Sequence, residues 1–148
     1  MFKRNLLIVV AGIIVLLLAS HFLFRQEELN ANEENISING VDLLVDIADT
    51  PEEHTQGLSG RDKMAENKGM LFVFPVSNTP GFWMKEMNFS LDFIWINEAG
   101  IIVDITKNIS PETYPEIFRP SSPIKYVLEV NAGWADNHNI KIGDKVSF

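Results

Sequence analysis

The apolar positions of this chain fall into two regimes. Leu6 to Phe24 is an almost unbroken apolar run, and everything after Asn35 alternates in short stretches between polar turns. As a helix the run is about 28 Å long, against roughly 30 Å of bilayer hydrocarbon, so it predicts a membrane-spanning segment. Lys3 and Arg4 precede it. Basic residues stay on the cytoplasmic side, which predicts a single pass with the N-terminus inside. Residues 1–5 are then a basic cytoplasmic stub and 6–24 the anchor. Cleavage after Ala19 or Ser20 would put Leu17 or Leu18 third-last, where signal peptidases want a small residue. An uncleaved signal anchor is therefore expected. Residues 25–35 are polar, with no apolar periodicity, and read as a tether.

Within 36–148 the pattern is that of short strands. Ile36 to Ala48 holds two alternating runs around Asn39-Gly40, the strongest short hairpin signal. Thr50-Pro51-Glu52-Glu53 announces a short helix: Thr50 caps, Pro51 suits the first turn, and the glutamates complement the helix dipole. Gly57 and Gly60 end it. Gly69 to Phe74 is a continuous apolar strand stopped by Pro75. Phe82 to Lys85 predicts a further strand, and 91–106 a hairpin turning at Asn97 to Gly100. Asn108 to Ser122 is a loop, Lys125 to Val130 a strand, and Asn131 to Asn139 holds one or two helical turns. The chain ends with a strand on either side of Gly143-Asp144. The expected fold is mainly β (α+β), a compact small barrel or sandwich of about seven or eight short strands with one or two short helices, preceded by one transmembrane helix.

Composition narrows the chemistry. The net charge is -8 and there is no cysteine. An acidic surface repels phosphate backbones, so no nucleic-acid partner is expected. The absence of thiols removes disulfides, thiolate metal sites and cysteine nucleophiles. His54 and His138 have no second histidine at ligand spacing, so no metal and no cofactor is predicted. Gly57-Leu58-Ser59-Gly60 lacks the order of a nucleophile elbow. With Arg61 it makes either an anion-binding turn or simply the helix end.

Three charges interrupt apolar strands: Lys85, Asp92 and Glu129. By alternation Lys85 shares a face with Trp83, Asp92 with Ile94 and Ile96, and Glu129 with Val127. Either these faces are exposed, or the charges form a buried structural pair, Lys85–Asp92 or Lys85–Glu129, or they line a polar site. In the last case Asp92 or Glu129 is the candidate catalytic acid or base, and Lys85 orients an anion. Trp83, Trp95 and Trp134 either line a cleft or fill the core.

The motifs Gly57-Leu58-Ser59-Gly60-Arg61, Gly69 to Phe74, Phe82-Trp83-Met84-Lys85, Leu91-Asp92, Tyr126 to Val130 and Gly143-Asp144 stand in the order of the bacterial and archaeal family called domain of unknown function 192. The chain resembles it from about Val41 to Phe148. The resemblance implies a compact, largely β domain, commonly behind a signal sequence or anchor, and supplies no activity. It directs attention to Arg61, Lys85, Asp92 and Glu129, which match charged motif positions. His54 and Gln56 stand where the family has arginines, Ser59 where it has methionine, Glu86-Met87 where it has Asn-Thr, and Ser90 where it has proline.

The expected protein is thus a membrane-anchored domain in the periplasm or outside the cell, a small-ligand-binding or envelope accessory module. Its candidate ligand contacts are Arg61, Lys85, Asp92, Glu129 and Trp83. An envelope hydrolase using Asp92 or Glu129 as acid or base, and a protein-interaction scaffold marked by an exposed aromatic patch, are the alternatives.

Overall fold

Asn39 and Gly40 both take left-handed backbone angles (φ 53° and 79°), the requirement of a two-residue hairpin turn that follows the strand twist. They join β1 (Glu33–Ile38) to β2 (Val41–Ala48) as expected from the Asn-Gly signal. The computed structural model describes residues 13–21 and 32–148, in two compact units, 1–33 and 34–148. In the first unit residues 13–21 are helical with exposed apolar side chains. No helix among the described residues is long and apolar enough to cross a membrane. The remainder of the expected span, 6–12 and 22–24, lies outside the described residues, as do the stub 1–5 and positions 25–31 of the tether. β1 starts at Glu33, inside the stretch expected to be tether.

After β2 the chain forms α1 (Pro51–Gln56). Thr50 Oγ1 accepts from the Glu53 amide at 3.2 Å, and Glu53 Oε2 accepts from the amides of Asp49 and Thr50 at 3.0 and 3.1 Å. This capping box satisfies amides that a helix start leaves free. The same backbone bonds, from Asp49 first, hold the Glu53 carboxyl below the usual carboxylate range. Gly57 ends the helix at φ 48°.

β3 (Lys68–Asn78) then runs parallel to β2. β4 (Leu91–Ile96), β5 (Ile102–Ile109), β6 (Ile124–Asn131), α2 (Trp134–Asn137) and β7 (Val146–Ser147) complete a seven-stranded sheet of order β5-β4-β6-β3-β2-β1-β7. It is a half-barrel whose two end strands are tied at one end. Val146 donates to the Gly100 carbonyl at 2.8 Å, Ile102 to Asp144 at 2.9 Å, and Ile101 bridges Lys145. Such ties blunt edges that otherwise recruit other chains.

Further elements differ from the pattern-based expectation, among them β5, which runs to Ile109 into the expected loop. β3 continues through Pro75, but its pairing with β6 lapses between Val73 and Asn78, where a missing N–H costs no ladder bond. Phe82 to Lys85 is not a strand; Phe82 alone bridges Phe118, with amide-to-carbonyl bonds of 2.9 and 2.8 Å. The chain then turns at Glu86, whose φ is 55°. Before Gly143 there is no strand, because the Ile140 amide bonds back to Ala135 at 2.8 Å.

The sheet is buried on both sides. Its inner face draws on all seven strands, with Ile38, Val45, Leu71, Ile94, Ile102, Leu128 and Val146 among its buried residues. The outer face carries Met70, Phe72, Phe93, Trp95 and Val127 under Leu58, Met84 and the partly buried Phe82 and Phe118. β4 sits between both layers, and all six of its residues are buried. That explains a strand with no polar side except Asp92.

Candidate functional site

Glu129 lies on the outer face in a cross-strand row: Asp46 opposes Met70, Met70 opposes Glu129, and Glu129 opposes Phe93. It is only 5 % exposed. Among the described residues nothing donates a hydrogen bond to its carboxyl and no cation pairs with it in contact. Burial pushes the carboxyl up to about 8, against a smaller downward pull from the Arg61 guanidinium. The group is therefore mostly neutral at pH 7.

Above this carboxyl is a cavity of about 130 Å³, close in size to cavities that hold one benzene ring. Phe72, Phe74, Phe82 and Trp83 wall it, and Pro80, Gly81, Met87 and residues 54–59 complete the lining. Phe82 is the hub of the wall. Its ring meets Phe72 at 4.9 Å, Trp95 at 5.5 Å and Phe93 at 5.6 Å, each near edge-on, the favoured aromatic geometry. Trp83 by contrast is half-exposed at the mouth, edge-on to the exposed Tyr114. His54 Nε2 stands 2.9 Å from the Ala48 carbonyl, and its ring lies 4.7 Å from Phe74.

Two sequence motifs meet here because their loops are laced together. Ser59 Oγ donates to the Lys85 carbonyl at 2.9 Å, the Gly60 amide donates to Glu86, and Asn88 Nδ2 donates to the Arg61 carbonyl. Gly57 faces Phe72 so closely that an added Cβ would stand 3.3 Å from the ring. The turn is not an open anion cradle: the amides of Ser59, Gly60 and Arg61 are spent on Gln56, Glu86 and Leu58 carbonyls.

The predicted residues do not all converge. Arg61 binds Asp46 at 2.6 Å, on the same face as Glu129. Lys85 is half-exposed and stands 4.0 Å from Glu86, so neither proposed pair, with Asp92 or with Glu129, forms. Asp92 is fully buried on the inner face. It opposes Val130, the neighbour of Glu129, and alternation therefore puts the two acids on opposite sides of the sheet. Its Oδ1 accepts from the Asn108 amide at 2.8 Å and its Oδ2 from Ala135 at 3.1 Å. That carboxylate joins β4, the end of β5 and the start of α2, and is occupied by doing so. Trp95 and Trp134 are core; only Trp83 reaches the cavity. No group of residues able to hold a metal ion occurs among the described residues.

Sequence reasoning passed over His54, Phe72, Phe74, Phe82 and Met87 as cavity residues. A signal existed for His54, three positions before Gly57 on the helix face that closes the cavity. The aromatic residues carried none, because a phenyl ring in a strand pattern looks the same whether it meets a core or a void.

Solved structures are similar to this chain, two of them as follows. One is from Sinorhizobium meliloti 1021 and is described as a proposed transcription regulator. It is 32% identical, with a TM-score of 0.74, covering 78% of this chain and 92% of its own. The other is a protein of unknown function from Novosphingobium aromaticivorans DSM 12444, 27% identical, with a TM-score of 0.73, covering 78% of this chain and 85% of its own. No curated protein matches the chain. The family model DUF192, "Uncharacterized ACR", matches residues 34–148, which takes in all of the half-barrel but Glu33 and every residue of the cavity. The chain belongs to the DUF192 family.

Proposed function

We propose that residues 34–148 are a small-ligand-binding domain, held outside the cytoplasmic membrane by the apolar segment 6–24. One observation carries the binding reading: the carboxyl of Glu129, a residue only 5 % exposed, has no hydrogen-bonding partner among the described residues and opens onto an aromatic-walled cavity. A carboxyl that no protein group satisfies and that opens onto a cavity is free to meet a ligand or water there. Arg61 supports the site from Asp46, and Trp83 guards its mouth. Lys3 and Arg4 before the apolar run support the orientation. Nucleic acid is not the proposed ligand, since a charge of -8 repels it. The description of the Sinorhizobium relative is therefore not carried over.

The test uses the full-length chain in non-ionic detergent. Small amines, neutral hydrogen-bond acceptors, sugars and short peptides are screened by the Trp83 indole resonance and by the melting temperature. Movement of that resonance by one class, lost in Trp83→Ala, is expected. Silence from every class would overturn the reading. The anchor is tested by protease access to intact spheroplasts, which should remove the domain.

A second reading, a docking surface for a protein partner, is favoured by Trp83, Tyr114 and Ile117, all exposed around the cavity mouth. It predicts co-purification that Tyr114→Ala abolishes and small ligands leave unchanged.

A further inference from the structure

We propose that the cavity takes an organic ammonium group, held among aromatic rings with the Glu129 carboxylate as its counter-ion. This rests on the small-ligand reading and names the class of ligand. Three observations converge on a cation. The wall is Phe72, Phe74, Phe82 and Trp83, and aromatic rings attract cations through their quadrupoles, most strongly when water is excluded. The acid on the floor lacks a counter-charge in contact, because the nearby guanidinium of Arg61 is taken by Asp46 at 2.6 Å. The domain sits in a chain of net charge -8, which draws cations toward it. An anion meets the opposite conditions, since the turn amides are already bonded within the protein.

The cavity volume of about 130 Å³ suits one ammonium head with its attached carbons rather than a whole peptide or sugar. Entry of the cation moves Glu129 from its neutral to its ionised form, and the carboxyl proton leaves to solvent. Binding therefore releases a proton near pH 7 and strengthens as pH rises toward the carboxyl's raised value of about 8. The other titratable groups facing this point are His54 on α1, Arg61 on the following turn and Asp46 on β2, which is paired with Arg61. β3 and β4 present Met70 and Phe93, and the 82–89 loop presents Phe82, Trp83 and Met87. A positive charge on the His54 ring would also repel a cation, so the two must be separated.

Titration calorimetry of the full-length chain in non-ionic detergent does this, with choline chloride as the cation and 3,3-dimethylbutan-1-ol as its neutral isostere. Choline is expected to bind at least tenfold more tightly than the alcohol at pH 9, and at least tenfold more weakly at pH 6 than at pH 9. At pH 7 its heat should vary with the ionisation heat of the buffer, which reads the released proton. In Glu129→Gln the preference for choline should vanish while the alcohol binds as before; pH dependence that persists there belongs to His54. If that variant does not fold, Trp83→Ala replaces it, with choline binding lowered about tenfold and an unchanged melting temperature. Equal or better binding of the alcohol overturns the cation and leaves the small-ligand reading standing. Failure of both probes also overturns the cation, and the broader screen then decides the reading beneath it.

Discussion

Asp92 and Glu129, two acids embedded in neighbouring strands, point to opposite faces of one sheet because Asp92 opposes Val130 and Glu129 opposes Phe93. A one-residue offset in register is enough to separate them, since side chains alternate with period two. Their surroundings then diverge. Asp92 meets two backbone amides that saturate it, whereas Glu129 meets Met70, Phe93 and a cavity. The same side-chain chemistry thus serves cohesion on one face and remains available on the other.

Glu129 makes stability depend on pH. Its folded carboxyl is raised to about 8 from 4.5, so the folded state holds the proton more tightly than the unfolded chain. Stability is full below about pH 4.5 and declines as pH climbs through about 8, by about 5 kcal/mol in all. Thermal melts between pH 5 and 9 should show the decline. Glu129→Gln, which cannot ionise, should flatten it and exceed the native chain in melting temperature at pH 9. A native profile flat across that range would contradict the burial of the acid.

Asp92→Ala should be far more damaging. It strands the amides of Asn108 and Ala135 in the core, each lost partner costing about 1–3 kcal/mol. Asn108 sits at φ 55°, a left-handed conformation that asparagine adopts more readily than most residues, so the loss comes from the stranded amides. Denaturant unfolding should lose about 3 kcal/mol or more. Asp92→Asn should recover only part, because an amide group accepts through one oxygen and turns donors toward the other N–H.

The capping box gives a milder case. Thr50→Ala removes the bond to the Glu53 amide and should cost about 1 kcal/mol. Because α1 closes one side of the cavity, ligand affinity should weaken with it, measured on the same protein as the melting temperature.

Gly69→Ala tests the close approach of β3 and β6. The new Cβ would stand 2.9 Å from the Glu129 carbonyl and 3.1 Å from the side chains of Leu128 and Leu43. A backbone oxygen cannot move aside cheaply, so a loss of about 1–3 kcal/mol is expected. Gly40→Ala, by contrast, places a side chain at positive φ but meets nothing nearby, and should cost about 1 kcal/mol.

Local chemistry in the sequence was enough to determine the Asn39-Gly40 hairpin, the capped helix at Thr50, the 91–106 hairpin and the mainly β class, because each rests on contacts a few residues apart. It also singled out Glu129 as a charge out of place among apolar neighbours. The tertiary structure alone decided which acids share a face, that Lys85 turns to solvent, that Phe82 leaves the strand pattern to become an aromatic hub, and that a cavity stands over Glu129. Register between strands distant in sequence and the packing of loops over a sheet depend on every partner at once. An apolar letter records that a side chain leaves water; it does not record what it then meets.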